Sequence, residues 1–310
     1  MRPPAEAIAS LGWFVGAIAF VILAGVEGAL IWAAWRYRAS RVPGPAPQIH
    51  GNTRLEIAWT AIPLVVLAVV FVLMLGTMRE ISGAVASSAP PSGVPDLRVL
   101  ARGYQWWWEY RYTTASGEVV AANELHIPVG VSVDLALEAH DVIHSFWVPE
   151  LNGKTDMIPG HTNHLRLYAP RAGAYSGQCA EFCGLEHAWM RISVIADEPA
   201  DFARWLAAQS APRLPPSGAV AEAGERVFTA NVCASCHTIR GTGAAGLAGP
   251  DLTHVGSRRT LGTGVLANDD AGMRAWIADP QRYKPGVFMP QVPLSAADLT
   301  ALVAYLRSLQ

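Results

Sequence analysis

Apolar and polar positions follow three different rules along this chain. From Leu11 to Trp35 and from Trp59 to Met78 the residues are almost continuously apolar. Each run approaches the roughly 20 residues that a helix needs to cross a bilayer. The pattern predicts two spanning helices, over about 11–35 and 59–79, forming a hairpin within residues 1–82. Trp13, Trp32, Trp35 and Trp59 stand near the run ends, where indoles anchor at membrane interfaces. A secretory signal fits the first run less well, because the run is too long for an h-region and no clear small-residue cleavage site follows it.

After a Ser/Pro/Gly/Ala linker, predicted over 83–95, the period changes. "DLRVLARGYQWWWEYRYT", "VSVDLALEA" and "NHLRLYAP" are short β-branched and aromatic runs separated by turn signals. They predict a small antiparallel β domain, closed by the amphipathic helix "PADFARWLAAQS", over residues 96–210. A second linker, "APRLPPSG", covers 211–218. The remainder, 219–310, reads as helices; in the last of them Leu299, Leu302, Leu306 and Leu309 recur at helical spacing.

Composition adds two constraints. A net charge of −2 gives no basic surface for nucleic acid, so none is expected as a partner. The loop between the apolar runs carries Arg36, Arg38, Arg41 and Arg54 against one acid, Glu56, whereas the N-terminal tail carries only Arg2 as a base. The positive-inside rule therefore makes the loop cytoplasmic and places everything after Met78 outside. Glu27 lies within the first run, where an ionisable group is costly unless it faces protein or water.

The four cysteines form two pairs, both in the outer portion, where disulfides are permitted. "CASCH", Cys233 to His237, is the C-x-x-C-H attachment signature of a c-type haem. Its thiols can add to two vinyl groups on one haem edge, and His237 then lies beneath the iron. A second axial ligand is expected, and methionine raises the potential. Met289, in the Pro/Gly-rich "KPGVFMPQVPLS", is the first candidate, with Met273 and His254 as alternatives. The other pair lies in "CAEFCGLEHAWM", which sets Cys179, Cys183, His187 and Met190 within twelve positions. Thiolate, imidazole and thioether suit copper. Two thiolates favour a cluster of two coppers bridged by sulfur, with a further histidine supplied by "AHDVIHSFWVP". Zinc is the runner-up metal, although structural zinc rarely recruits methionine.

These motifs, with "EIAWTAIP", "GYQWWWEY", "DVIHSFWVPELNGKTDMIPG" and "YSGQCAEFCGLEHAWM" in order, resemble cytochrome c oxidase subunit II carrying a fused C-terminal cytochrome c, as in caa-type haem–copper oxidases. The resemblance covers nearly the whole length. It implies a multidomain fold: a two-helix transmembrane hairpin, a cupredoxin-like antiparallel β-barrel holding a binuclear CuA centre, and an all-α class I cytochrome c domain.

The resemblance further implies CuA ligation by His144, Cys179, Cys183, His187, Met190 and the backbone carbonyl of Glu181. The Glu181 carboxylate would help bind Mg at the border with subunit I. Trp106 corresponds to the tryptophan through which electrons reach CuA, and Glu56 to a glutamate at the cytoplasmic mouth of a proton pathway. His140 fits no ligand position. Trp107 stands where tyrosine is usual and Arg111 where an acid is common. The implied partners are subunit I, subunit III, the lipid bilayer of a bacterial cell membrane, and an external cytochrome c or a quinol–cytochrome c reductase complex as donor. The implied function is to pass electrons through haem c and CuA to subunit I, which reduces dioxygen with proton translocation. Other readings are a subunit of a CuA-containing nitric oxide reductase and a membrane-tethered copper-binding or assembly protein.

Overall fold

The computed structural model describes residues 4–38, 40–41, 44, 48, 51–86, 97–114 and 117–310. The chain divides into two units, residues 1–87 and 88–310.

The first unit is a pair of long helices, α1 (Pro4–Arg36) and α2 (Thr53–Ala86). Their apolar stretches, Ala5–Arg36 and Thr53–Ile81, have mean hydropathies of 2.3 and 2.7, and their hydropathic segments are not covered by protein. Exposed Phe20, Ile31, Leu64 and Val72 therefore suit a hydrocarbon surround. Both helices outrun the apolar pattern. Asn52 accepts hydrogen bonds from the Arg54 and Leu55 amides and so caps α2 six residues before its apolar run. The far end of α2 continues through Ala86, so residues 83–86 of the expected linker are helical, and 87–95 lie outside the described residues.

The second unit begins with two five-stranded sheets. One has β3 (Gly117–Ala122), β2 (Trp107–Thr114), β1 (Leu97–Tyr104), β5 (Ser132–Ala139) and β8 (Asn163–Tyr168) in spatial order. The other runs β4 (Glu124–Pro128), β10 (Arg191–Asp197), β9 (Gly173–Cys179), β6 (His144–Trp147), β7 (Thr155–Met157). Pairing is antiparallel except for one parallel pair in each sheet, β1 with β5 and β4 with β10. On β5 burial alternates strictly, so Val133, Leu135 and Leu137 enter the core while Asp134 and Glu138 do not. Trp108, Tyr110, Tyr112 and Phe146 fill the space between the sheets. Helix α3 (Pro199–Ser210) lays Phe202 and Trp205 against Tyr112 and closes one end.

The remaining residues build a small helical module. Its frame is α4 (Ala219–Ala230) crossed by α8 (Ala296–Ser308), with Phe228 edge-on to Tyr305. Between them come the one-turn α5 (Cys233–Cys236), the short ribbon of β11 (Thr260–Leu261) and β12 (Leu266–Ala267), α6 (Asp270–Ala278) and α7 (Pro280–Tyr283). Asp269 caps α6 and Ser295 caps α8 through their side-chain oxygens. Leu302, Leu306 and Leu309 are buried, as their spacing requires.

Candidate metal centres

Strand β9 ends at Cys179, whose amide donates to the Met190 carbonyl, and the Ala180 amide donates to Ser145 on β6. These bonds tie both ends of the 179–190 loop to the sheet. Within it the donor atoms converge. The Cys179 and Cys183 Sγ atoms are 3.8 Å apart, and Cys183 Sγ lies 3.6 Å from His187 Nδ1 and 3.7 Å from Met190 Sδ. Cys179 Sγ is 3.9 Å from His144 Nδ1 and 3.2 Å from the Glu181 carbonyl. Cys179, Cys183, Met190 and His144 are all buried. One shell thus holds two thiols, two imidazole nitrogens, a thioether and a carbonyl, a donor set that fits soft metal. No disulfide joins the cysteines. The sulfur–sulfur hydrogen bond drives the Cys179 thiol down and the Cys183 thiol up, so the first thiolate forms readily at Cys179.

His144 is aimed by a residue the sequence reading did not single out. Asp141 accepts from His144 Nε2 at 2.8 Å and from the Gln105 and Val142 amides at 2.7 Å each. Burial opposes its ionisation, but these bonds outweigh burial and hold the carboxyl below its usual range. With Nε2 engaged, Nδ1 faces the sulfurs, the arrangement by which an outer carboxylate orients a metal-binding imidazole. Gly103 makes room for the ring: a Cβ there would lie 2.9 Å from His144 Cδ2. Asp141 sits three positions before His144, a spacing that was legible. His140 is instead stacked on Tyr104.

The second pair sits on α5, with both thiols half-buried. His237 follows immediately, and its Nδ1 lies 2.8 Å from the Pro250 carbonyl. That bond fixes Nδ1–H and leaves Nε2 as the free donor. Burial pushes the ring's pKa down, which favours the neutral, ligating form. Here too a glycine receives the ring: a Cβ on Gly249 would lie 2.5 Å from His237 Cε1. The module's chemistry therefore fits a covalently held haem with one histidine ligand. Met289 lies in a loop pinned by Gln281, whose Nε2 donates to the Val287 and Met289 carbonyls. Met273 is packed into the core from α6, and both His254 ring nitrogens meet backbone carbonyls, of Gln310 and Ala211.

Trp106 is buried and donates its indole N–H to the Cys183 carbonyl at 2.9 Å. Trp107 stacks on Tyr104, and Arg111 pairs with Glu109 and Glu118. Glu56 lies exposed in the first turn of α2. Two further residues had no signal in the sequence. Lys284 is 1% exposed, and its Nζ donates to the Trp106 carbonyl and to Thr263 Oγ1 at 3.0 Å each. Burial lowers its pKa to about 8, against the opposing pull of Glu186. Glu186 is itself buried within the 179–190 loop, with burial raising its pKa.

Comparison with known proteins places the chain's three segments in known families. Residues 97–197 match the family "Cytochrome C oxidase subunit II, periplasmic domain", residues 2–75 the corresponding transmembrane domain, and residues 221–310 "Cytochrome c". The chain is 41% identical to cytochrome c oxidase subunit 2 of Alkalihalophilus pseudofirmus over 301 residues, covering 96% of this chain and 82% of the relative. It is 30% identical to the Bacillus subtilis subunit 2, covering 89% and 80%. Among solved structures, the periplasmic domain of subunit II from Bradyrhizobium japonicum is 32% identical, covering 38% of this chain and 95% of that one, with a TM-score of 0.36. A membrane-anchored redox subunit with its soluble modules on the outer side is the class these matches define. Within it, the chain belongs to the cytochrome c oxidase subunit II family and carries a fused cytochrome c domain, so it is part of an oxidoreductase whose domains imply CuA and haem c.

Proposed function

We propose that this chain receives electrons from an external donor and passes them, through haem c and then CuA, to the haem–copper subunit I of a respiratory terminal oxidase. The observation that carries the reading is the convergence of four further donors, two imidazole nitrogens, a thioether and a carbonyl, on one buried sulfur pair 3.8 Å apart. Copper held by these donors would supply a one-electron couple, and a haem held by Cys233 and Cys236 would supply another.

His144, Cys179, Cys183, His187, Met190 and the Glu181 carbonyl are the proposed CuA donors. Cys233 and Cys236 would hold the haem covalently, with His237 and Met289 as ligands to its iron. Asp141 fixes His144, and Pro250 fixes His237. Trp106 links the Cys183 carbonyl to the cytochrome side of the site. The Glu181 carboxylate would bind Mg at the subunit I border, an oxygen ligand suiting a hard cation. Glu56, at the loop end of α2, would stand at the mouth of a proton pathway that serves proton translocation in subunit I. Subunit III and a donor such as cytochrome c or a quinol–cytochrome c reductase complex complete the partner set, in a bacterial cell membrane.

The test is metal and haem analysis of the full chain purified in detergent with its partners. About two coppers and one covalent haem per chain are expected. One zinc, or a Cys179–Cys183 disulfide in metal-replete protein, would overturn the copper assignment. A nitric oxide reductase subunit as the largest copurifying partner would redirect the electron path.

A further inference from the structure

We propose that the cytochrome module is held on the β module as a standing complex, with Lys284 as its anchor and the Phe288–Trp106 ring contact as the electron's crossing point. The crossing point rests on the electron path proposed above; the standing complex does not.

The contact is built unlike a transient docking face. Transient encounters keep charged groups hydrated at the rim, where they steer approach. Here two charged groups, Lys284 and Glu124, are desolvated within the contact. Lys284, 1% exposed, reaches across to the Trp106 carbonyl, and Thr263 Oγ1, which it also contacts, donates to the Trp189 carbonyl at 2.7 Å. From the other side Glu124 of β4, 5% exposed, accepts from the Arg259 and Thr260 amides at 2.8 and 3.1 Å. Arg240 adds a bond to the Gln209 carbonyl and Arg191 one to the Gly264 carbonyl. Removing one partner of such a buried polar contact acts on dissociation rather than on approach.

The anchor places two rings together. Phe288 and Trp106 have centroids 5.1 Å apart at 32°. Phe288 is the chain neighbour of Met289, and the Trp106 indole is hydrogen-bonded to the Cys183 carbonyl. The route therefore leads from a proposed iron ligand to a proposed copper ligand through two aromatic rings and one hydrogen bond. The step moves one electron, oxidising ferrous haem iron and reducing the copper pair, with no bond made or broken and no proton transferred. Lys284 is a positioning residue for this step, acting through Trp106 and Thr263.

The test uses the full chain in its complex, with a protease site inserted at the exposed Leu214–Pro215 stretch of the linker. After cleavage the cytochrome module should remain bound through size-exclusion at micromolar concentration. Lys284→Met and, in the other module, Glu124→Gln should each release it at least tenfold more readily. Covalent haem in the released fragment shows that it folded. In the uncleaved chain, photoreduced haem should pass its electron at a rate independent of added viscogen. In Lys284→Met that rate should fall as viscosity rises, because re-docking then limits it. Phe288→Leu should keep the module bound and both metals in place, yet slow transfer about tenfold or more. Loss of the cleaved wild-type module overturns the standing complex, and its undiminished retention in Lys284→Met overturns Lys284 as the anchor. Unchanged transfer in Phe288→Leu overturns the crossing point. The retention assay reads protein alone, so it decides the complex even if the metal assignments fail.

Discussion

The two cysteine pairs differ by one residue in spacing and by almost everything in setting. Cys179 and Cys183 are buried at the end of a strand, with sulfurs 3.8 Å apart and three further side-chain donors around them. Cys233 and Cys236 sit half-exposed on one helical turn, with a single histidine fixed beside them. A loop anchored at both ends can turn two thiols inward to a common point. A helical turn presents thiols along one face, where a flat cofactor can be attached from outside. Metal coordination needs the first geometry, and thioether attachment needs the second. Each site also sets its histidine against a glycine, Gly103 under His144 and Gly249 against His237. In both, an oxygen acceptor, Asp141 or the Pro250 carbonyl, occupies one ring nitrogen and assigns the other.

The comparison breaks most sharply at the sulfurs. Cys183→Ser should abolish copper binding while leaving haem attached, and Cys233→Ala with Cys236→Ala should abolish covalent haem while leaving copper. Elemental analysis and a denaturing gel stained for haem read both, and joint loss in either variant would mean that the sites are not independent. The histidine seats come next. Gly249→Ala forces a Cβ to within 2.5 Å of the His237 ring, and Gly103→Ala to within 2.9 Å of His144. Overpacking of this kind costs about 1–3 kcal/mol, so each variant should lower thermal stability and perturb only its own chromophore.

Orientation is a smaller effect. Asp141→Asn keeps the hydrogen bond but weakens its charge, and loss of such an outer partner lowers metal affinity by roughly 10- to 100-fold. Competition with a copper chelator measures it, and unchanged affinity would show that the β-sheet alone holds His144. Met289→Ala should leave the haem attached through its cysteines and remove the near-infrared band of sulfur-ligated iron; a surviving band would reassign the ligand.

The smallest effect lies away from both pairs. Arg102 of β1 holds the Glu138 carboxyl of β5 below its usual range through a 2.7 Å bond. Stability from this pair is full above the ordinary glutamate value of 4.5 and is lost as pH falls through the lowered native value. Glu138→Gln should cost about 0.2–1 kcal/mol near neutral pH, with the gap closing in acid and copper retention unchanged.

Much of the molecule is legible in its sequence because the signals are local. Apolar runs long enough to span a bilayer, alternation on β5, leucine spacing on α8 and the two cysteine motifs each lie within a short window. The ends of the spanning helices were less legible, since the polar turns that extend α1 and α2 carry no hydropathic mark. His144 stood out only by resemblance, but its orientation came from Asp141 and from Gly103 on a strand about forty positions earlier.

What the sequence determined by itself was the inventory: two spanning segments, a β domain, a helical domain, and donors chosen for copper and haem. Side-chain chemistry and short-range period are written residue by residue, so they survive without a fold. What only the tertiary structure decided was how the two soluble modules meet. Lys284 and Trp106 are 178 positions apart, and Glu124 and Arg259 are 135 apart. A lysine in a Pro/Gly-rich loop reads as a solvated charge until the fold buries it against a particular carbonyl. No local pattern encodes that meeting, because it depends on where two separately built surfaces come to rest.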